Sequence, residues 1–172
     1  MSDKSKVIRA LASAQRVGVA SDNHQNTAAV EQAVRYFAKM EVDAVIHLGD
    51  IGSPAMLRRF ATFPLALAIG NTDDPIALGQ AAERVGVVWS STDLTLDVGG
   101  HTVYATHGHL HRLPPADCKL VLHGHTHQVR DEILDGVRFC NPGALYRARR
   151  WTAAVWYPEV ETFTVQELPR NS

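Results

Sequence analysis

The chain has 172 residues, 45% of them hydrophobic and 20% charged, with a formal net charge of -1 at pH 7. This length accommodates one domain with a sizeable core, and the near-neutral charge gives no sign of a general nucleic-acid or polyanion surface. No uninterrupted apolar run approaches the length of a membrane-crossing helix, so a membrane partner is not expected.

Residues 1–15 carry two lysines and an arginine but no long apolar segment. They read as an N-terminal arm, either a short amphipathic helix or disordered, and not as a secretory signal. Residues 16–172 read as a single domain. Arg16 to Asp22 is a short buried strand ending on a carboxylate, with His24 two residues on. Thr27 to Lys39 has helical spacing, with Ala29, Val30, Ala33, Val34 and Phe37 on one stripe. The pattern repeats: an apolar run from Ala44 to Leu48, then Gly49-Asp50, then a helix from Pro54 to Phe60 opened by a proline at a position that needs no N–H. A third unit runs from Leu65 to Ile69 through Gly70-Asn71-Thr72-Asp73 to a helix near Pro75 to Arg84. Strands alternating with helices predict a parallel βαβ arrangement.

The second half changes character. Leu94 to Val98 and Thr102 to Ala105 flank Gly99-Gly100-His101, a hairpin signal. Leu120-Val121-Leu122 is a buried strand. Val129 to Leu134 and Val137 to Phe139 flank the turn Asp135-Gly136, and Trp151 to Tyr157 and Glu161 to Gln166 flank Pro158. The expectation is βα units followed by antiparallel strands. The two cysteines, Cys118 and Cys140, lack metal-ligand spacing and fit buried free thiols of a cytoplasmic protein.

Histidine carries the compositional signal: seven of the nine fall between His101 and His127. On an extended chain His125 and His127 share a face, so both can reach one ion or two adjacent ions. A ligand-free cluster is the plain alternative. Asp22, Asp50 and Asn71 end three successive strands, where open α/β sheets bind ligands. Each could instead cap the following helix. Together, Asp22, His24, Asp50, Asn71, His107, His125 and His127 offer carboxylate, amide and imidazole donors without thiolate, a set suited to borderline or hard divalent ions. Seven donors exceed one ordinary site, but they serve two if a carboxylate bridges, and two metals about 3.5 Å apart are a known phosphoester-cleaving device.

Asp-x-His (Asp22, His24), Gly-Asp (Gly49, Asp50), Gly-Asn-x-Asp (Gly70, Asn71, Asp73), His-Gly-His (His107 to His109) and Gly-His-x-His (Gly124 to His127) occur in an order that resembles the calcineurin-like metallophosphoesterases. The short chain and Asn141-Pro142-Gly143 are similar to the small bacterial and archaeal phosphodiesterase branch. The resemblance spans Arg16 to about Ala144. It implies an α/β fold, a four-layer αββα sandwich of two mixed β-sheets flanked by helices. It also implies a phosphodiesterase that hydrolyses its small phosphoester substrate by attack of a metal-bridging hydroxide. The cofactors would be two divalent metal ions, Mn2+ first, with Fe, Zn, Ni or Co as alternatives. By motif, Asp22, His24 and His127 would hold one metal, Asn71, His107 and His125 the other, and Asp50 would bridge.

Many relatives carry a histidine after the metal-binding asparagine, where this chain has Thr72, which cannot act as an acid near neutral pH. His109 is the candidate for phosphate contact or proton donation beside Asn71 and Asp50, and a role in orienting a ligand histidine is the alternative. Of the rest, His47 reads as a hydrogen-bonded core residue, His101 as solvated, and His111 and His123 as surface or supporting positions. Asp73 is expected to cap a helix or orient Asn71, and Arg147, Arg149 and Arg150 to be solvated or to contact phosphate. A phosphomonoesterase with the same site is the nearest rival. A retromer subunit of this fold serves as an interaction platform but departs from the metal motifs, which are intact here. An exposed hairpin edge leaves a homo-oligomer open.

Overall fold

In the computed structural model, which describes residues 3–170, the expected βα units are present with nearly the expected limits. Strands β1 (Val17–Ala20), β2 (Ala44–His47) and β3 (Leu65–Ala68) are followed by helices α2 (Thr27–Lys39), α3 (Pro54–Phe60) and α4 (Pro75–Val85). Each helix begins where a side chain satisfies otherwise unpaired N–H groups. Asn26 accepts from Ala29, Ser53 from Met56, and Asp74 from Ile76 and Ala77. The caps therefore come after Asp22, Asp50 and Asn71, which leaves those three residues free of capping duty. It also corrects the expectation for Asp73: its neighbour Asp74 caps α4, while Asp73 accepts hydrogen bonds from the N–H groups of Gly52 and Gly70.

The remaining elements are α1 (Asp3–Ala12), β4 (Val88–Ser90), β5 (Asp93–Val98), β6 (His101–Thr106), β7 (Leu120–His123), β8 (Val129–Leu134), β9 (Val137–Pro142), β10 (Trp151–Tyr157) and β11 (Thr162–Leu168). They complete two mixed sheets, ordered β11-β10-β1-β2-β3-β4 and β5-β6-β7-β9-β8. The expectation of a wholly antiparallel second half needs correction. β7 runs parallel to both β6 and β9, because the connection through residues 107–119 crosses over and does not turn back. The last hairpin returns to the first sheet, where β10 pairs antiparallel with β1.

Strand alternation divides the core into layers. One face of the first sheet, with Ala20, Val45, Leu65, Leu67 and Val155, packs on Phe37, Leu57, Phe60 and Leu78 of α2–α4. The other face, with Val19, Ile46, Ala66 and Trp156, packs on Val98, Val103, Ala105, Leu120 and Leu122 of the second sheet. Burying each of these larger side chains contributes about 1.5–3 kcal/mol. The segment read as an arm folds from Asp3 as α1 and adds buried Val7 and Leu11 to the intersheet core. Helices thus flank the two mixed sheets, as the resemblance implied, with α2–α4 on the first sheet and α1 beside β5 of the second. Pro114-Pro115 interrupts the crossover, and its Cys118 packs on Tyr104 and Val121.

Candidate metal centre

Parallel pairing of β1, β2 and β3 brings their carboxyl ends side by side, and parallel pairing of β6 and β7 does the same for the two histidine motifs. The loops are then stitched together through their backbones. Asp22 N–H donates to Gly49 O at 3.0 Å, His24 N–H to Asp50 O at 2.9 Å, and Gly124 N–H to His107 O at 3.2 Å. All seven residues named from the sequence converge at this seam.

Two donor groups share it. Asp22, His24 and His127 offer ligand atoms within 4.8 Å of one another, as do Asp22, Asp50 and His107. Asp50 Oδ2 lies 3.4 Å from His24 Nε2 and 3.5 Å from His107 Nε2, so one carboxylate oxygen faces both halves of the site. Asn71 Oδ1 is 2.9 Å from His107 Nε2. His125 is more peripheral: its ring centroid is 5.0 Å from that of His107, and it is exposed, as is Asn71.

The polar groups fit a cation. Asp22 Oδ1 is fully buried and accepts no hydrogen bond, while facing His127 Nε2 at 3.2 Å and His24 Nε2 at 4.0 Å. Its Oδ2 is already taken by Ser21 Oγ at 2.5 Å and His125 N–H at 3.0 Å. His107 Nδ1 lies 2.7 Å from Leu48 O, which requires a proton on Nδ1 and turns Nε2 toward two oxygens, Asp50 Oδ2 and Asn71 Oδ1. Three electron-rich atoms meeting at one point need a proton or a metal between them. The protonation balance reflects this. Burial opposes the charged forms of Asp50 and His107, yet their mutual hydrogen bond, with Thr72 and Asp22 assisting, lowers the Asp50 pKa and raises that of His107.

The backbone is held away from its ordinary conformations here. Asp22 (φ 54°), His24 (41°), Asp50 (52°), His125 (67°) and His127 (58°) all lie in the left-handed region that side chains avoid. Close approach also excludes larger residues. A Cβ on Gly124 would stand 2.0 Å from Ser21 Oγ and 2.9 Å from Asp22 Oδ2, and one on Gly70 would stand 2.2 Å from Asp50 N.

Thr72 holds the site together: its N–H donates to Asp50 Oδ1 at 2.9 Å and its hydroxyl lies 3.4 Å from His24 Nδ1. His109 packs against His107 and His125, with ring centroids at 5.3 and 6.3 Å, and its Nδ1 is buried without a partner. Burial lowers its pKa, with further lowering from His107 and His125. An open cleft of about 490 Å³ above the seam is lined by His24, Asp50, Asn71, Thr72, His125, His127, Tyr146 and Arg147, and not by His109.

The supporting histidines and arginines sort clearly. His47 is buried in β2, with Nε2 2.9 Å from Asn23 Oδ1 and Nδ1 accepting from Gly49 N–H at 3.2 Å. His101, expected to be solvated, is partly covered by the edge of Trp156. His123 is buried beside Asn141, and His111 is exposed. Arg150 pairs with Glu167 away from the cleft. Sequence reasoning passed over Ser21, Tyr146 and Asn141 as site residues. Asn141 joins β9 to the last histidine motif, donating to Gly124 O at 3.0 Å and Thr126 Oγ1 at 3.1 Å. Its only sequence signal was its place in Asn-Pro-Gly.

Comparison with known proteins bears on the whole assembly. Residues 16–162 match the model of the calcineurin-like phosphoesterase superfamily domain. Phosphodiesterase MJ0936 of Methanocaldococcus jannaschii is 26% identical over 137 residues, 74% of this chain and 82% of that protein. The probable metallophosphoesterase YsnB of Bacillus subtilis is 30% identical over 148 residues, 77% of each chain. The solved structure of an archaeal phosphodiesterase shares the fold with a TM-score of 0.80 at 23% identity, over 89% of this chain and 99% of that one. Vacuolar Protein Sorting 29 from Cryptosporidium parvum shares it with a TM-score of 0.61 at 17% identity, over 90% and 96%. The fold alone thus spans proteins of different description, but the domain match reaches from β1 into β11 and contains every donor of the seam, and on that ground the chain belongs to the calcineurin-like phosphoesterase superfamily.

Proposed function

We propose that this protein is a dinuclear-metal phosphodiesterase that hydrolyses a small phosphodiester. The observation that carries the reading is the position of Asp50 Oδ2, 3.4 Å from His24 Nε2 and 3.5 Å from His107 Nε2, where one oxygen can serve two ions. Asp22, His24 and His127 are assigned to the first ion, and Asn71, His107 and His125 to the second. Oxygen and imidazole donors without thiolate favour Mn2+, with Fe, Zn, Ni or Co as competitors.

Two divalent ions held there would supply Lewis acidity toward phosphoryl oxygens and would lower the pKa of a water. The chain's own residues position and balance that chemistry. The Asp22 and Asp50 carboxylates offset part of the positive charge, leaving a pocket that favours an anionic ester. Thr72 and Ser21 fix the carboxylates by hydrogen bonding their second oxygens, and Leu48 O fixes the His107 tautomer. Water is split across the P–O bond: its hydroxyl joins phosphorus, and its proton leaves with the alcohol. The packing of His109 supports the second of its two roles, orientation of His107 and His125, over contact with phosphate.

Initial rates with bis-p-nitrophenyl phosphate and p-nitrophenyl phosphate, each with Mn2+ and after chelation, test the proposal. Faster metal-dependent cleavage of the diester is expected. Faster monoester cleavage would make the protein a phosphomonoesterase, and inertness toward both with two metals bound would favour a scaffold.

A further inference from the structure

Arg147 is the arginine that lines the cleft. Arg16, Arg59, Arg112, Arg130, Arg138 and Arg150 each face a carboxylate within ion-pair distance. Among the described residues no such pair involves Arg147. Its guanidinium lies instead over the Tyr146 ring, 5.3 Å from the centroid, and that ring packs on His24 at 5.2 Å. Both side chains line the cleft above the metal-ligand candidates.

The backbone that presents this pair is fastened from three directions. Leu145 N–H bonds to Ser21 O at 3.3 Å and Asp22 O at 3.2 Å, and Leu145 O accepts from Asn26 Nδ2 at 2.8 Å. Just upstream, Gly143 N–H donates to Asn141 Oδ1 at 2.8 Å. Arg147 itself is held at φ 46°, a conformation costly for a side-chain-bearing residue. Leu145 therefore ties the start of this segment to the loop that carries Asp22, and the Tyr146 ring is held against His24.

Charge supplies the second half of the argument. The carboxylate that lines the cleft, Asp50, already faces His24 and His107, so with divalent cations held there the Arg147 guanidinium would add to the positive charge. An anion in the cleft reverses that cost, and the planar N–H fork of arginine matches phosphoryl oxygens. We infer that Arg147, steadied on the Tyr146 ring, is a substrate-binding residue that grips the phosphoryl oxygens of an ester held in the cleft. The inference rests on the phosphoesterase reading and adds the residue that anchors its substrate. Arg149 and Arg150 take no part: neither lines the cleft.

The test compares native protein with Arg147→Met and Arg147→Lys, all loaded with Mn2+. It measures bound manganese, the affinity for inorganic phosphate by calorimetry, and KM and kcat on bis-p-nitrophenyl phosphate. Arg147→Met should weaken phosphate binding and raise KM by about tenfold, the scale of one charge-assisted contact, with manganese content unchanged. Arg147→Lys should recover part of the phosphate affinity, since it keeps the charge and loses the fork. Unchanged phosphate affinity in Arg147→Met would overturn the inference, as would no phosphate binding by native protein. Loss of manganese in Arg147→Met would also overturn it, making the residue a support for the metal loops. A native protein that binds phosphate through Arg147 yet cleaves neither ester would sink the phosphoesterase reading and leave the anion grip standing.

Discussion

Asp50 is the residue that the two halves of the candidate site share. Its Oδ1 is fixed by the Thr72 N–H and its Oδ2 faces both His24 and His107. Holding it there, with Asp22, His24, His125 and His127, in left-handed backbone costs on the order of 1 kcal/mol or more per residue, a load borne by the surrounding fold. Asp50→Asn should weaken both ion sites together and lower diesterase activity by at least about 100-fold. Near-native turnover would show that Asp50 does not bridge. His109→Ala should act differently, lowering manganese affinity through loss of packing on His107 and His125 and regaining activity in excess Mn2+. Activity that stays low at full occupancy would restore a direct role in the reaction.

At the scale of elements, the loops after β1, β2 and β3 leave Asp22, Asp50 and Asn71 free as candidate ligands because their helices are capped later, by Asn26, Ser53 and Asp74. Beneath the site, His47 of β2 links Asn23 to Gly49, and Asn23 Nδ2 donates to Ile51 O at 2.8 Å. This network ties the first loop to the second only with a neutral imidazole. Burial lowers the His47 pKa from 6.5 to about 3, with His107 adding to the effect. The unfolded chain takes up this proton first, so the stabilisation is complete above pH about 6.5 and is lost as pH falls toward 3. Urea midpoints should therefore fall between pH 7 and pH 4.5, by an amount worth a few kcal/mol on the scale of such shifts. His47→Gln should flatten that slope, and an unchanged slope would show that His47 is not its source.

Across the whole molecule, the candidate metal centre lies where the two sheets meet, and the buried Asp22 and Asp50 place like charges together in the fold. Metal binding should therefore be coupled to stability. Native protein loaded with Mn2+ at about 100 times its dissociation constant should gain on the order of 2.7 kcal/mol, so chelation should lower Tm by roughly 5–10 °C. An unchanged Tm after verified loading and removal would show that the site is not coupled to folding. No helix among the described residues is long and apolar enough to cross a membrane.

The sequence by itself determined the βα units, because apolar periodicity and cap chemistry are local: α2 and α3 begin and end where their spacing and caps place them. It also singled out the residues that meet at the seam, since Asp22, Asp50 and Asn71 lie two or three positions past strand ends and the histidines cluster along the chain. Other features were decided only by tertiary structure. The parallel direction of β7 and the return of β10 beside β1 depend on contacts between segments far apart in the chain. β4 was missed because three half-buried residues carry too little periodicity to identify a strand. Arg147 read as part of a basic run with Arg149 and Arg150, solvated or in contact with phosphate, and Tyr146 carried no signal; the fastening of the Leu145 backbone to Ser21, Asp22 and Asn26 sets these two residues beside the cleft. Local patterns fix which residues can bind; the pairing of distant strands fixes which of them share a cleft.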